Sequence, residues 1–184
     1  MDTKKISQSI YDIVAKEVDA LYPQFMKRVN DIDIDYFEDI VRDSEVIPKE
    51  LNLGLRDKVL DDVNQYAMQL LEGSNIKDQI TAMMGGTNAS TAKKAFDGAK
   101  ELIRDYVYTG CLLNGSPNIT EQELQKKYKD AKKRDLWELI MRNNKKDVIE
   151  FHHALMDSTY EQCKDVLYNN IISFLSNSFS GLFG

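Results

Sequence analysis

The chain has 184 residues, 42% apolar and 29% charged, with a formal net charge of −6. That length suits one domain over 1–184, with a sub-division conceivable at the 85–89 loop, and a chain of this size buries roughly 70% of its unfolded surface without needing a staple. The acidic total argues against broad nucleic-acid binding, while two widely separated cysteines, Cys111 and Cys163, exclude a disulfide framework and suit a reducing compartment.

From the N-terminus, Ile6, Ile10, Ile13, Val14, Val18 and Leu21 recur at spacings of three and four and predict an amphipathic helix. Tyr22-Pro23 should interrupt it, because proline disfavours the α conformation in the residue before it; Phe25, Met26 and Val29 continue after a kink. Asn30 to Asp35, NDIDID, reads as a turn or cap, followed by a short helix with Phe37, Ile40 and Val41 inward. EVIPKELNLG reads as irregular, with Pro48 placed to open a single helical turn.

Val59, Leu60, Val63, Ala67, Leu70 and Leu71 predict a strong helix closed by Gly73, and Ile76 to Met84 a short one ending at Gly85-Gly86. GGTNAST is the clearest loop, with Asn88 or Ser90 as the cap of the next helix. That helix carries Ala92, Ala95, Phe96, Ala99, Leu102, Ile103, Tyr106 and Val107. Its small residues Ala95, Gly98 and Ala99 invite another helix to approach closely.

After the loop NGSPN, Thr120 and Glu123 make a T-x-x-E capping box, with Ile119 and Leu124 as its hydrophobic staple. Asn143-Asn144 breaks the pattern. Ile149, His152, Met156, Tyr160, Cys163, Leu167, Ile171 and Phe174 then form a long seam. The expected fold is all-α: an irregular bundle of six to eight helices packed around this C-terminal helix.

The chemistry-bearing motifs are sparse. Glu150, His153 and Asp157 share one helix face, but a di-iron bundle needs two E-x-x-H motifs and the chain has only one other histidine, His152. Cys163 lies ten or eleven residues from both histidines on one helix, roughly 15 Å at 1.5 Å per residue, too far for proton transfer. Asp31-x-Asp33-x-Asp35 opens like a calcium loop, but Tyr36 stands where glycine is needed and Arg42 where glutamate is needed. Neither G-x-x-x-x-G-K-[ST] nor G-x-G-x-x-G occurs. No catalytic residue, metal site or cofactor is expected. The uncharged tail from Val166 to Gly184 carries too many Asn and Ser to span a membrane, and the charged N-terminus lacks a signal peptide's apolar stretch; a cytoplasmic location is expected.

Two charge blocks remain. From Asp31 to Asp62 eleven acids (Asp31, Asp33, Asp35, Glu38, Asp39, Asp43, Glu45, Glu50, Asp57, Asp61, Asp62) face four bases (Arg42, Lys49, Arg56, Lys58). From Glu121 to Lys146 nine bases (Lys126, Lys127, Lys129, Lys132, Lys133, Arg134, Arg142, Lys145, Lys146) face five acids (Glu121, Glu123, Asp130, Asp135, Glu138). Solvated helix faces account for most such runs. Apolar and aromatic residues among the acids, Ile32, Ile34, Tyr36 and Phe37, resemble anchors within a charged rim. The expected function is therefore non-enzymatic protein binding: Asp31, Asp33, Asp35, Tyr36, Glu38, Asp39 and Asp43 would engage a basic partner, in the manner of an acidic inhibitor or immunity-type protein, phage-encoded or related to host defence, masking a nucleic-acid-binding surface. One alternative is a nucleic-acid reader using Lys126, Lys129, Lys132, Lys133, Arg134 and Trp137. A helical-bundle metalloenzyme is the other.

Overall fold

A computed structural model describes residues 2–43, 49–114, 120, 122, 126 and 145–180, with side chains except at 32–43, 49–55, 114, 145, 147, 148 and 151. Among these residues there are five helices and no strand: α1 (Thr3–Asp43), α2 (Lys49–Glu72), α3 (Ile76–Met84), α4 (Ala89–Asn114) and α5 (Lys145–Ser178). The all-α expectation holds. The five helices of the described residues do not match the expected six to eight: segments expected to be separate have merged within α1, and the helix expected after Thr120 lies almost wholly outside the described residues.

The largest merger is α1. Pro23 lies inside it, despite removing one ladder hydrogen bond. The packing explains why the helix persists. Ile6, Ile10, Val14, Val18, Tyr22, Phe25 and Val29 are all buried, at spacings of four or three, so one apolar stripe runs unbroken across the proline. Pro23 itself is exposed. The NDIDID segment is helical as well, and so is KELNLG, which forms the start of α2. Gly73 and Gly85 follow α2 and α3 directly, as expected. Asp2 and Asn88 cap α1 and α4: Lys4 N donates to Asp2 Oδ1 at 3.0 Å, and Thr91 N to Asn88 Oδ1 at 2.9 Å.

Among the described residues the packing centres more on α1 than on the C-terminal helix. Helix α1 touches all four other helices, most extensively α4, while α5 packs chiefly on α2. Where α1 crosses α4, Ser7 Oγ donates to Ala95 O at 2.8 Å, and a Cβ added at Gly98 would lie 2.5 Å from that same Oγ. The close approach invited by the small residues of α4 is thus filled by α1. On α5, His152, Met156, Tyr160, Cys163, Leu167 and Ile171 are buried as the seam predicts. The seam then steps to Leu175 and Phe179, leaving Phe174 half-buried. The capping-box partners Ile119, Glu123 and Leu124 lie outside the described residues. Thr120 is exposed.

Candidate functional site

The acidic block begins at an open groove between α1 and α2, about 570 Å³ in volume. From α1 come Gln24, Lys27, Arg28 and Asp31, at helical spacings of three and four; from α2 come Asp62, Gln65, Tyr66 and Gln69. Asp31, the first residue of the expected partner face, is exposed. Asp33, Asp35, Tyr36, Glu38, Asp39 and Asp43 belong to helical backbone of α1, and their side chains lie outside the described residues. Of the alternative basic patch, Lys126 is exposed, and Lys129, Lys132, Lys133, Arg134 and Trp137 lie outside the described residues.

One lining residue, Tyr66, is aromatic. Tyr66 is half-buried, and the Arg28 guanidinium lies over its ring, 5.9 Å from the centroid. A cation over a tyrosine face is held by the ring quadrupole. Sequence reading did not single out this groove, although Gln24, Lys27, Arg28 and Asp31 recur as a polar stripe opposite the apolar one. What it could not supply was the register of α2, which brings Tyr66 beneath Arg28.

A second cluster is buried where α1, α4 and α5 meet. Tyr22 OH is hydrogen-bonded to Cys111 Sγ, and burial pushes both the phenol and the thiol above their ordinary titration ranges. Lys164, also buried, is paired with Glu161 at 2.8 Å and lies 5.7 Å from the Tyr108 ring centroid. Nearby, Tyr160 OH donates to Asn30 Oδ1 at 3.1 Å. A nucleophilic cysteine needs its thiol brought down towards neutral pH, and burial moves Cys111 the other way. Tyr22 OH also donates to Val107 O at 3.4 Å, so its hydroxyl has two partners inside the apolar core.

Of the metal candidates, Glu150 and Asp157 are exposed and His153 is half-buried. Among the described residues no three His, Cys, Asp or Glu side chains converge on a point that would hold an ion. No helix among them is long and apolar enough to cross a membrane. Comparison with protein-family models, curated proteins and solved structures finds no match to the chain.

Proposed function

We propose that the chain is a protein-binding module whose partner face is the acid-rich second half of α1, beginning at the α1–α2 groove. The observation that carries this reading is the continuity of α1 from Thr3 to Asp43. A turn at NDIDID would scatter its acids. A continuous helix sets Asp31, Asp35 and Glu38 four and three residues apart, on one face. Asp31, at the groove, begins that row.

The partner fitted by such a row is a protein with a basic surface. An inhibitor that presents carboxylates where a nucleic acid would present phosphates is the plainest case. We place its action in a cytoplasm, where Cys111 and Cys163, both buried thiols, stay reduced. Electrostatic complementarity of this kind acts mainly on the association rate and is strongest at low salt.

The test starts from capture of the partner from host extract and its identification by mass spectrometry. The triple reversal D35K/E38K/D39K is then compared with wild type by rapid-mixing kinetics. Association should slow by about tenfold or more at low salt and less at high salt, with circular dichroism and melting temperature nearly unchanged. Equal association rates would refute the reading. Loss of binding on reversing Lys132, Lys133 and Arg134 would move the function to the basic segment.

A further inference from the structure

The α1–α2 groove brings together two features that bind cations by different means. Asp31 on the α1 wall and Asp62 on the α2 wall offer carboxylates, and Tyr66 offers a ring face. That face already holds a guanidinium, the one on Arg28 of the same chain. Ring faces attract any cation, but a planar guanidinium gains more than an ammonium where it can stack and also direct several N–H groups at carboxylates. Lys27 and Arg28 oppose an incoming cation. Both are exposed, and their long stems let the charged heads swing into water. On the neutral part of the lining, the Gln65 and Gln69 amides offer donors and acceptors to a peptide backbone.

We propose that this groove receives an arginine side chain of the partner, its guanidinium over Tyr66 in place of that of Arg28 and its N–H groups towards Asp31 and Asp62. This rests on the partner-face reading and sharpens it. The α1 positions 24, 28 and 31 line the groove, and the same helical stripe continues at Asp35 and Glu38. One basic segment could therefore occupy both.

The test uses the full chain and two labelled octapeptides, one of arginine and one of lysine, followed by fluorescence anisotropy at low salt. Wild type should bind the arginine peptide about threefold or more tightly than the lysine peptide. Tyr66→Phe should keep that preference, Tyr66→Leu should erase it, Asp62→Asn should reduce it, and Arg28→Gln should increase it. Equal binding of the two peptides by wild type overturns the proposal, as does a preference that survives Tyr66→Leu in a variant with wild-type circular dichroism. Should Tyr66→Leu fail to fold, a preference lost in Tyr66→Phe or unchanged in Asp62→Asn overturns it instead. The two readings part in the D35K/E38K/D39K variant. If that variant weakens both peptides alike while Tyr66→Leu changes nothing, the groove proposal falls and the acidic face stands. If the preference depends on Tyr66 and the triple reversal changes nothing, the groove stands and the acidic face falls.

Discussion

Helix α1 meets α4 and α2 on different terms. Against α4 it finds Ala92, Ala95, Ala99 and Gly98, and Ser7 reaches across to a backbone carbonyl. Against α2 it also buries Val59, Val63, Ala67 and Leu71 in the shared core. The outer edge of that second contact is built from Gln24, Lys27, Gln65 and Gln69, which leave a groove. Small residues bring two helix axes together until side chains interlock, while long polar ones at the margin leave the space between helices open. One helix thus has a seam that fixes the fold and a margin that leaves surface for another molecule.

The core shared by both contacts should give the largest response. Phe25 is buried on α1 and lines a small apolar void with Leu70, Leu71 and Leu167. Phe25→Ala should lower unfolding stability by about 3–5 kcal/mol, read from the urea midpoint. A loss under about 1 kcal/mol would mean that α1 and α2 are not packed together as described.

The tight seam predicts a smaller, coupled effect. Alanine for glycine inside a helix should by propensity alone stabilise by about 1 kcal/mol. At Gly98 the new Cβ would displace the Ser7 hydroxyl from its bond to Ala95 O. Overpacking of this sort costs about 1–3 kcal/mol, so Gly98→Ala should be destabilising by about 1 kcal/mol. On a Ser7→Ala background the same change should become neutral or stabilising. A double-mutant cycle measures this coupling; additivity would place the closest approach elsewhere.

The margin should respond least. Gln65→Ala and Gln69→Ala should each leave stability within about 0.5 kcal/mol of wild type, by thermal melts. A larger loss at either would make the groove part of the structural core and weaken its case as a binding surface.

The buried stripes were legible in sequence because a helix face repeats every three or four residues whether or not its partner is known. Thus most of the stripes from Val59 to Leu71, Ala92 to Val107 and His152 to Ile171 carry their burial in their spacing, Leu102 being an exposed exception. The breaks were less legible. Pro23 and NDIDID carry local turn signals, and both lie within a helix whose apolar stripe, Val18, Tyr22, Phe25 and Val29, passes Pro23 in register. Local preference of about 3 kcal/mol for proline is outweighed when several large side chains on each side of it are buried. The candidate site was half visible. The row of acids starting at Asp31 could be read directly, but Tyr66 meets Arg28 only through the relative placement of two helices, which no single-helix pattern encodes. The partnership of Tyr22 with Cys111, 89 residues apart, was hidden for the same reason.

The distance along the chain between α1 and α4 has a consequence for synthesis. Ser7 and Ala95 are 88 residues apart. At about 5–20 residues per second a ribosome takes roughly 4–18 s to add that many. During those seconds the α4 surface that α1 packs against most extensively does not yet exist. Until α4 follows, α2 and α3 are the helices of its own chain on which α1 can pack. Crosslinking on ribosome-bound chains stalled at increasing length should detect the Ser7–Ala95 contact only once residue 111, the last buried residue described in α4, has left the ribosome.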